Sequence, residues 1–537
     1  MMAGKKINIL LLLVFPLITG MLLGISALPS RLWYVSFVAF IPLLAASERA
    51  LTCKKPLLVF GLQLLMALIV FYLYVGRWVL QTANLGFLLG LMIVLPFVIT
   101  VSPFILFRKE GQKVAPVYFI SAWLASELFQ SHFQLGSPFY NLGHNLGACP
   151  RLIQWYEYTG SAGGTLWILA SNVALFSVGK DLIYNRKRLF RKSVGALGIL
   201  ILPMAVSLLI YHGYKEKGPS SEVLIVHPST DCRGIKYRLN IYELMDRYLE
   251  IMEPQFTGNT EYVVLPETAI TNSGWVANLN NNLVFDHFLQ RTSDFPGLKL
   301  VTGAIIYDAV PEAEKTNNLG KLPGIRYSRK YNAWYYTYNA ALQIEKDKPV
   351  QMRTKEGLVP YQEYAPYPML LPRIVPVGVD FQFSVRKVNN TVFTAENRRK
   401  TAAMICYELV YGNKFCRMAR RGAQAFFVLL NEGWYVESPA VKRQFLQLSV
   451  IRAIENRRYI AHASNLGISA FVNQRGEVVA RNESKQPGFL KHEIRLNKRC
   501  TVASSLGDYL GAIALVSMIL MLLKEIITKI SHRQFQK

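Results

Sequence analysis

Apolar residues are segregated along this chain, and that limits the fold more than any motif does. Residues 1–213 and 506–523 are dominated by long apolar runs, whereas 214–505 reads as a soluble domain. A spanning helix needs about 20 apolar residues. Eight runs meet or approach that length, at 7–25, 31–47, 56–75, 85–107, 114–131, 163–179, 194–212 and 507–523; the second, fifth and sixth are short. The expectation is an α-helical membrane bundle of about eight spans: seven within 1–213, then an α/β domain over 214–505, then the eighth span and a tail over 506–537. Lys5 and Lys6 ahead of the first run resemble a signal peptide. Gly24-Ile25-Ser26-Ala27 is only a middling cleavage site, however, and seven runs follow, so the first run is read as an uncleaved span.

Basic residues orient the bundle. With the N-terminus in the cytoplasm, inside segments collect 18 Lys and Arg, including Lys54, Lys55, Arg108, Lys109, the Lys180–Lys192 cluster and Lys524; the short outside loops hold only Arg31, Arg77 and Arg151. The positive-inside rule then places both termini in the cytoplasm and 214–505 outside it. The formal charge of +26 divides into +14 for the membrane part, which topology explains, and +12 for the exported domain. A basic exported domain tethered to a bilayer suits an anionic lipid surface better than nucleic acid; a solvated basic surface with no partner is the open alternative. Six cysteines show no metal-type spacing and no cofactor is indicated. Cys232, Cys406, Cys416 and Cys500 fall in the exported domain, where disulfides are permitted.

Between the fifth and sixth spans, Gly136-Ser137-Pro138 to Gly143, Gln154 to Tyr158, and Gly160 to Gly164 break helix and carry interfacial Trp and Tyr. Glu127 within the fifth span should face the bundle interior or water. The soluble domain alternates short β-type runs with helical stretches. Strands are expected at Val223–Val226, Tyr262–Leu265, Leu300–Tyr307, Asn339–Ile344, Thr401–Ile405, Ala425–Leu430, Tyr459–Ala463 and Ile468–Val472, and helices near 235–253, 277–291, 411–421 and 440–457. Continuous apolar runs such as Phe426-Phe427-Val428-Leu429-Leu430 suggest strands covered on both faces, hence a layered α/β sandwich.

Four strand ends carry reactive groups. Glu267 follows Val263-Val264-Leu265-Pro266; Lys355 and Glu363 follow the run ending at Ile344; Cys406-Tyr407-Glu408 follows Thr401–Ile405; Asn431-Glu432-Gly433-Trp434-Tyr435 follows Ala425–Leu430. In layered α/β domains the carboxyl ends of strands are where catalytic groups are usually presented. A lone Glu after a strand is more often a cap. A Cys at a strand end is either core filler, half of a disulfide (Cys416 is ten residues away) or a nucleophile, and four such ends together favour chemistry.

Glu, Lys and Cys in that order, each after a strand, resemble the nitrilase or carbon–nitrogen hydrolase superfamily. More narrowly, Leu265-Pro266-Glu267-Thr268-Ala269, Lys355-x-x-Leu358-Val359-Pro360-x-x-Glu363 and Cys406-Tyr407-Glu408 resemble the apolipoprotein N-acyltransferases. Gly-x-Pro-x-x-x-Leu-Gly at 136–143, Gln154 and Gly507-Asp508 are similar too, so the likeness runs along nearly the whole chain. There are departures: Glu356-Gly357 and Tyr361-Gln362 differ from the usual pattern, Glu432 stands where Asp is common, and the first strand ends in His227-Pro228-Ser229.

The resemblance implies a membrane bundle fused to an extracytoplasmic nitrilase-like α-β-β-α sandwich in an inner membrane, with the domain in the periplasm. It implies a Cys406 nucleophile, Glu267 as general base and Lys355 facing the oxyanion, helped by the backbone N–H of Tyr407. Glu363 and Glu408 would support them, and Tyr237, Asn431, Trp434 and Tyr435 are candidate substrate contacts. The implied reaction is ping-pong: a phospholipid, typically phosphatidylethanolamine, acylates Cys406, and the thioester passes its acyl chain to the α-amino group of a diacylated apolipoprotein. The apolar stretch Tyr364–Pro372 is expected to act as a lid or membrane-dipping arm. Two other readings stay open: a membrane-anchored amidase or nitrilase that uses water, and a transporter-like bundle with an exported binding domain, against which the few intramembrane charges argue.

Overall fold

A computed structural model describes residues 10–28, 32–77, 86–134, 136–184, 186–231, 234–271, 273–314, 325–360, 363, 391–435 and 438–535. The expected Tyr364–Pro372 arm, Tyr361, Gln362 and Cys232 lie outside the described residues. The chain divides into two units, Tyr214–Ser505 and a second made of Met1–Gly213 with Leu506–Lys537.

Apolar helices build the second of these units. Among the described residues, five helices are long and apolar enough to cross a membrane: Pro56–Val75, Gly90–Lys109, Tyr156–Tyr184, Leu189–Gly213 and Tyr509–Ser531. The runs at 7–25 and 114–131 appear as the helices Phe15–Ala27 and Ala115–His132. The run at 31–47 is not one helix. A 3-10 turn, Trp33–Phe37, is followed by Ile41–Ala50, which at 1.5 Å per residue covers only about 15 Å. Asn172 bridges that break, accepting from Phe40 N at 2.8 Å and donating to Ser36 O at 2.8 Å. Glu127 is buried and serves as a hub: it accepts from Thr165 Oγ1 at 2.7 Å, Leu142 N at 2.8 Å and Trp123 Nε1 at 3.2 Å. It thereby holds the irregular 136–148 segment, where a Cβ on Gly143 would come 1.9 Å from Ser161 O.

The Tyr214–Ser505 unit holds thirteen strands among the described residues: β1 (Ser220–His227), β2 (Thr260–Val264), β3 (Lys299–Ala309), β4 (Ile325–Ser328), β5 (Ala333–Glu345), β6 (Gln351–Thr354), β7 (Phe393–Thr394), β8 (Lys400–Ile405), β9 (Ala425–Leu430), β10 (Tyr459–Ser464), β11 (Ser469–Val472), β12 (Val478–Asn482) and β13 (Gly488–Arg495). One sheet runs β13-β1-β2-β3-β5-β4 with β6 also on β5, and the other runs β12-β11-β10-β9-β8-β7. The central pairs β1–β2, β2–β3, β8–β9 and β9–β10 are parallel. Their carboxyl ends therefore point the same way within each sheet.

Side-chain alternation sorts the layers. Leu224, Val226, Val263 and Leu265 pack with Leu244, Met245, Tyr248 and Phe288 of the helices Ile241–Met252 and Leu283–Arg291. On the opposite face, the Tyr262 ring lies 5.2 Å from that of Phe427 in the other sheet. The next residue along, Phe426, meets Phe415 of the helix Gly412–Arg420 at 4.9 Å, and Ser449 of the helix Pro439–Asn456 bonds His462 at 2.8 Å. The order is helix, sheet, sheet, helix. All eight expected strands and four expected helical stretches are present, with the first helical stretch broken at Asn240, which caps Ile241–Met252. β4, β6, β7, β12 and β13 were not expected; their exposed or mixed residues lack the apolar alternation that marks a half-buried strand.

Candidate active site

Cys406 is the first residue past β8. Its φ of 47° lies in the left-handed region, which a non-glycine residue adopts at a cost of roughly 1–2 kcal/mol. Surroundings impose that geometry. The Glu408 carboxylate accepts Ile405 N at 2.8 Å and Glu356 N at 2.8 Å, and takes both guanidinium nitrogens of Arg353 at 2.7 and 2.8 Å. Arg452 donates to Leu409 O and Val410 O, each at 3.0 Å. The turn bearing the thiol is thus clamped on both sides.

Glu267 arrives from β2. Its turn crosses β3 at Gly303, where an added Cβ would sit 2.5 Å from Thr268 N and 2.6 Å from Glu267 Cα. Glycine is required there by close approach. Thr268 also has positive φ, 49°, and Lys236 pins it, donating to Thr268 Oγ1 at 2.9 Å and to Glu267 O at 3.2 Å. The Glu267 carboxylate accepts Lys355 Nζ at 2.9 Å and Asn339 Nδ2 at 2.8 Å on one oxygen, and Asn431 N at 3.1 Å on the other. The Cys406 thiol is hydrogen-bonded to the same carboxylate. Lys355 follows β6 and donates in addition to Glu363 Oε1 at 2.7 Å, whose second oxygen accepts Val359 N at 2.7 Å.

These groups perturb one another. Burial pushes the Cys406 thiol well above its ordinary range, the Glu267 charge adds to this, and Lys355 opposes it. Burial acts to lower Lys355, but Glu267 and Glu363 outweigh it and hold the ammonium well above the usual lysine range. Glu363 is raised by burial against the pull of Lys355. Burial would raise Glu408 too; Arg353 wins and holds it at about 2. A resting thiol, an adjacent carboxylate and a permanent cation are the parts a cysteine nucleophile needs.

The structure brings Cys406, Glu267, Lys355 and Glu363 together. Glu408 acts through Arg353 and the backbone. Tyr407 is buried, its ring 5.8 Å from that of Tyr411. Asn431 contributes its N–H to Glu267, while its side chain accepts from Asn465 Nδ2 at 3.1 Å. Trp434 and Tyr435 follow it in the turn Glu432–Tyr435. The unusual Glu432 is buried, accepts Ser464 Oγ at 2.8 Å and Ile468 N at 3.1 Å, and is pushed up to about 7 by burial. Tyr237 is 46 % exposed on the short Ile235–Arg238 helix. Cys406 and Cys416 are free thiols. Sequence reasoning missed Asn339, Arg353, Lys236 and Asn465. Arg353 had a signal, since it stands two residues before Lys355 and so on the same strand face.

A two-sheet domain with acid, cation and thiol at converging strand ends defines a class, and the chain belongs to it: the Carbon-nitrogen hydrolase family model matches residues 233–502. A second model, the Apolipoprotein N-acyltransferase N-terminal domain, matches residues 19–174. With both on one chain, its place is among the apolipoprotein N-acyltransferases. Proteins of that name are similar along most of their length. The one from Chlorobaculum tepidum is 26% identical over 93% of this chain and 94% of its own, that from Geobacter metallireducens 24% over 91% of each, and that from Pasteurella multocida 25% over 77% and 75%.

Proposed function

We propose that this chain transfers an acyl chain from a phospholipid, phosphatidylethanolamine in the simplest case, through a Cys406 thioester to the N-terminal amine of a diacylglyceryl-cysteine apolipoprotein. The observation that carries it is the carboxylate of Glu267, hydrogen-bonded to both the Cys406 thiol and the Lys355 ammonium in a chain whose other unit is built from apolar helices. In the first half-reaction the thiol proton passes to Glu267 and sulfur attacks the ester carbonyl. The oxyanion is stabilised by Lys355 and the Tyr407 N–H. Collapse expels the lysophospholipid oxygen, which takes the proton from Glu267. In the second, the α-amine attacks the thioester and gives a proton to Glu267, which returns it to the leaving sulfur. An α-amino group has a pKa near 7.7–8.0, so a neighbouring base is needed at neutral pH.

Lipid explains the bundle. Burying an acyl chain is worth about 0.8 kcal/mol per CH₂, so lifting sixteen carbons into water would cost on the order of 12 kcal/mol. The site therefore works at a bilayer surface. On this reading the bundle has eight spans in an inner membrane, with both termini cytoplasmic and 214–505 periplasmic. The test incubates membranes holding the full chain with labelled phospholipid. A long-lived acyl-enzyme discharged by an N-terminal diacylglyceryl-cysteine peptide supports transfer. Rapid fatty-acid release would instead assign hydrolysis, and normal N-acylation by Cys406→Ala would defeat the proposal.

A further inference from the structure

β3 and β5 outrun the sheet they belong to. β2 ends at Val264, paired with Val301, whereas β3 continues to Ala309, paired with Tyr335. The Glu267 turn packs on Gly303, so about six further residues, roughly 20 Å at 3.3 Å per residue, extend past the catalytic carboxylate on the carboxyl-end side of β2. β4 pairs with the start of β5, from Ile325↔Tyr336 to Ser328↔Ala333, which makes a hairpin whose turn, 329–332, lies farthest out.

This extension is aromatic on both faces. On one, Trp275 contacts Tyr307 at 6.1 Å, Tyr331 at 5.3 Å and Tyr335 at 5.6 Å. On the other, Tyr327 lies 5.2 Å from Trp334, and Tyr336 stacks near Tyr338 beside Val310 and Ile325. Neither group belongs to the helix-covered core, which contains none of these rings. Strands of this sandwich are apolar on both faces because helices cover one and the second sheet covers the other; these rings occupy both faces while lying outside the helix-covered core. Tyr327 and Tyr331 are 45% and 54% exposed. Around them stand Arg326, Arg329 and Lys330, the last with its ammonium 5.2 Å from the Tyr331 ring centre.

Trp and Tyr with Arg and Lys are the residues that settle at a bilayer interface, rings at headgroup depth and cations on anionic headgroups. We propose that the Ile325–Tyr338 hairpin is a membrane-interface anchor that rests on anionic phospholipid headgroups and holds the Cys406–Glu267 end of the soluble unit against its lipid donor. The inference rests on the phospholipid-donor reading above. The turn cations take the headgroup phosphates and the rings take the glycerol and ester zone, so the site end faces the lipid.

The test uses the full chain in nanodiscs. A spin label at Ser328→Cys, with the unsubstituted protein subtracted as background for native thiols, is compared with a label at Asn259→Cys, which is exposed just before β2 at the opposite end of the strands. The Ser328 label is expected to be open to oxygen and shielded from a water-soluble nickel complex; equal nickel access at both positions overturns the anchor. In parallel, Arg329→Gln/Lys330→Gln should slow thioester formation from donor in anionic nanodiscs by roughly five-fold per charge, at about 1 kcal/mol each, while leaving it unchanged with a monomeric short-chain phospholipid. Equal loss with both donors overturns the proposal. So does intact thioester formation with impaired discharge to the peptide, which would assign the hairpin to the acceptor. If the unsubstituted protein forms no thioester from either donor, the donor reading has failed, and the label depths still report on the hairpin independently.

Discussion

Replacing Glu408 by Gln keeps the side chain's shape and removes its charge, leaving the Arg353 guanidinium, fully buried, against an amide. Breaking a buried ion pair by removing one partner costs about 3–5 kcal/mol. Linkage provides a second route to the magnitude. Glu408 falls from 4.5 to about 2 in the folded protein; at about 1.4 kcal/mol per unit this is roughly 3 kcal/mol of stability at neutral pH. The routes agree. With about 2 °C per kcal/mol for a domain of this size, Glu408→Gln should lower the unfolding midpoint of the Tyr214–Ser505 unit by about 6–10 °C, measured on the full chain in detergent. The sign in pH follows from the depressed value: the stabilisation is complete above about 4.5 and is lost as pH falls toward 2. The gap between wild type and variant should therefore narrow across that window. Arg353→Met/Glu408→Leu should lie closer to wild type than Glu408→Gln, because no lone charge is left buried. A midpoint shift below about 2 °C, or a gap that widens on acidification, would refute the reasoning.

Glu267→Gln should slow thioester formation by roughly 10²–10⁴-fold, because the base is gone. The amide oxygen can still accept from Asn339 and Lys355, while the Asn431 N–H loses its acceptor to the amide nitrogen; single-turnover acylation alongside the melting temperature checks this. Lys236→Met should lower kcat with little change in donor KM, and Lys236→Arg should restore part of it; wild-type kcat in the Met variant would show that the Glu267–Thr268 turn holds without the ammonium. Gly303→Ala should reduce both melting temperature and kcat, because its Cβ falls on the Glu267 turn. The raised Cys406 thiol should react slowly with iodoacetamide at pH 7, and the rate should still climb above about pH 9; fast labelling that levels off below pH 8 would contradict it.

How much of this was legible depended on where the signal resides. Buried parallel strands such as Phe426–Leu430 announce themselves through continuous apolar runs, so the central strands and the reactive residue at each end could be read directly. Edge strands could not: Val478–Asn482 and Gly488–Arg495 are half exposed, and Gln351–Thr354 was hidden in a polar stretch although it delivers Lys355. In the membrane unit, apolar length located the runs but not the break at 38–40, which Asn172 stabilises from 132 residues away. The candidate site residues Glu267, Lys355 and Cys406 were visible by type. Much of what aims them was not, because it is made of main chain: Ile405 N and Glu356 N on Glu408, Asn431 N on Glu267, and the carbonyls of Leu409 and Val410 on Arg452. Every residue but proline has that N–H and every residue has that C=O, so composition cannot mark the ones that matter. The side chains that use them are marked indirectly. Arg353, Glu408, Arg452 and Lys236 are long, charged and buried, and such groups are retained in a core only when paired. Glu408, between Tyr407 and Leu409, and Arg452, between Ile451 and Ala453, are charges set among apolar neighbours, and so leave a trace in the sequence of a backbone geometry being held. Here the geometry held is the left-handed turn of Cys406 facing the turn of Glu267.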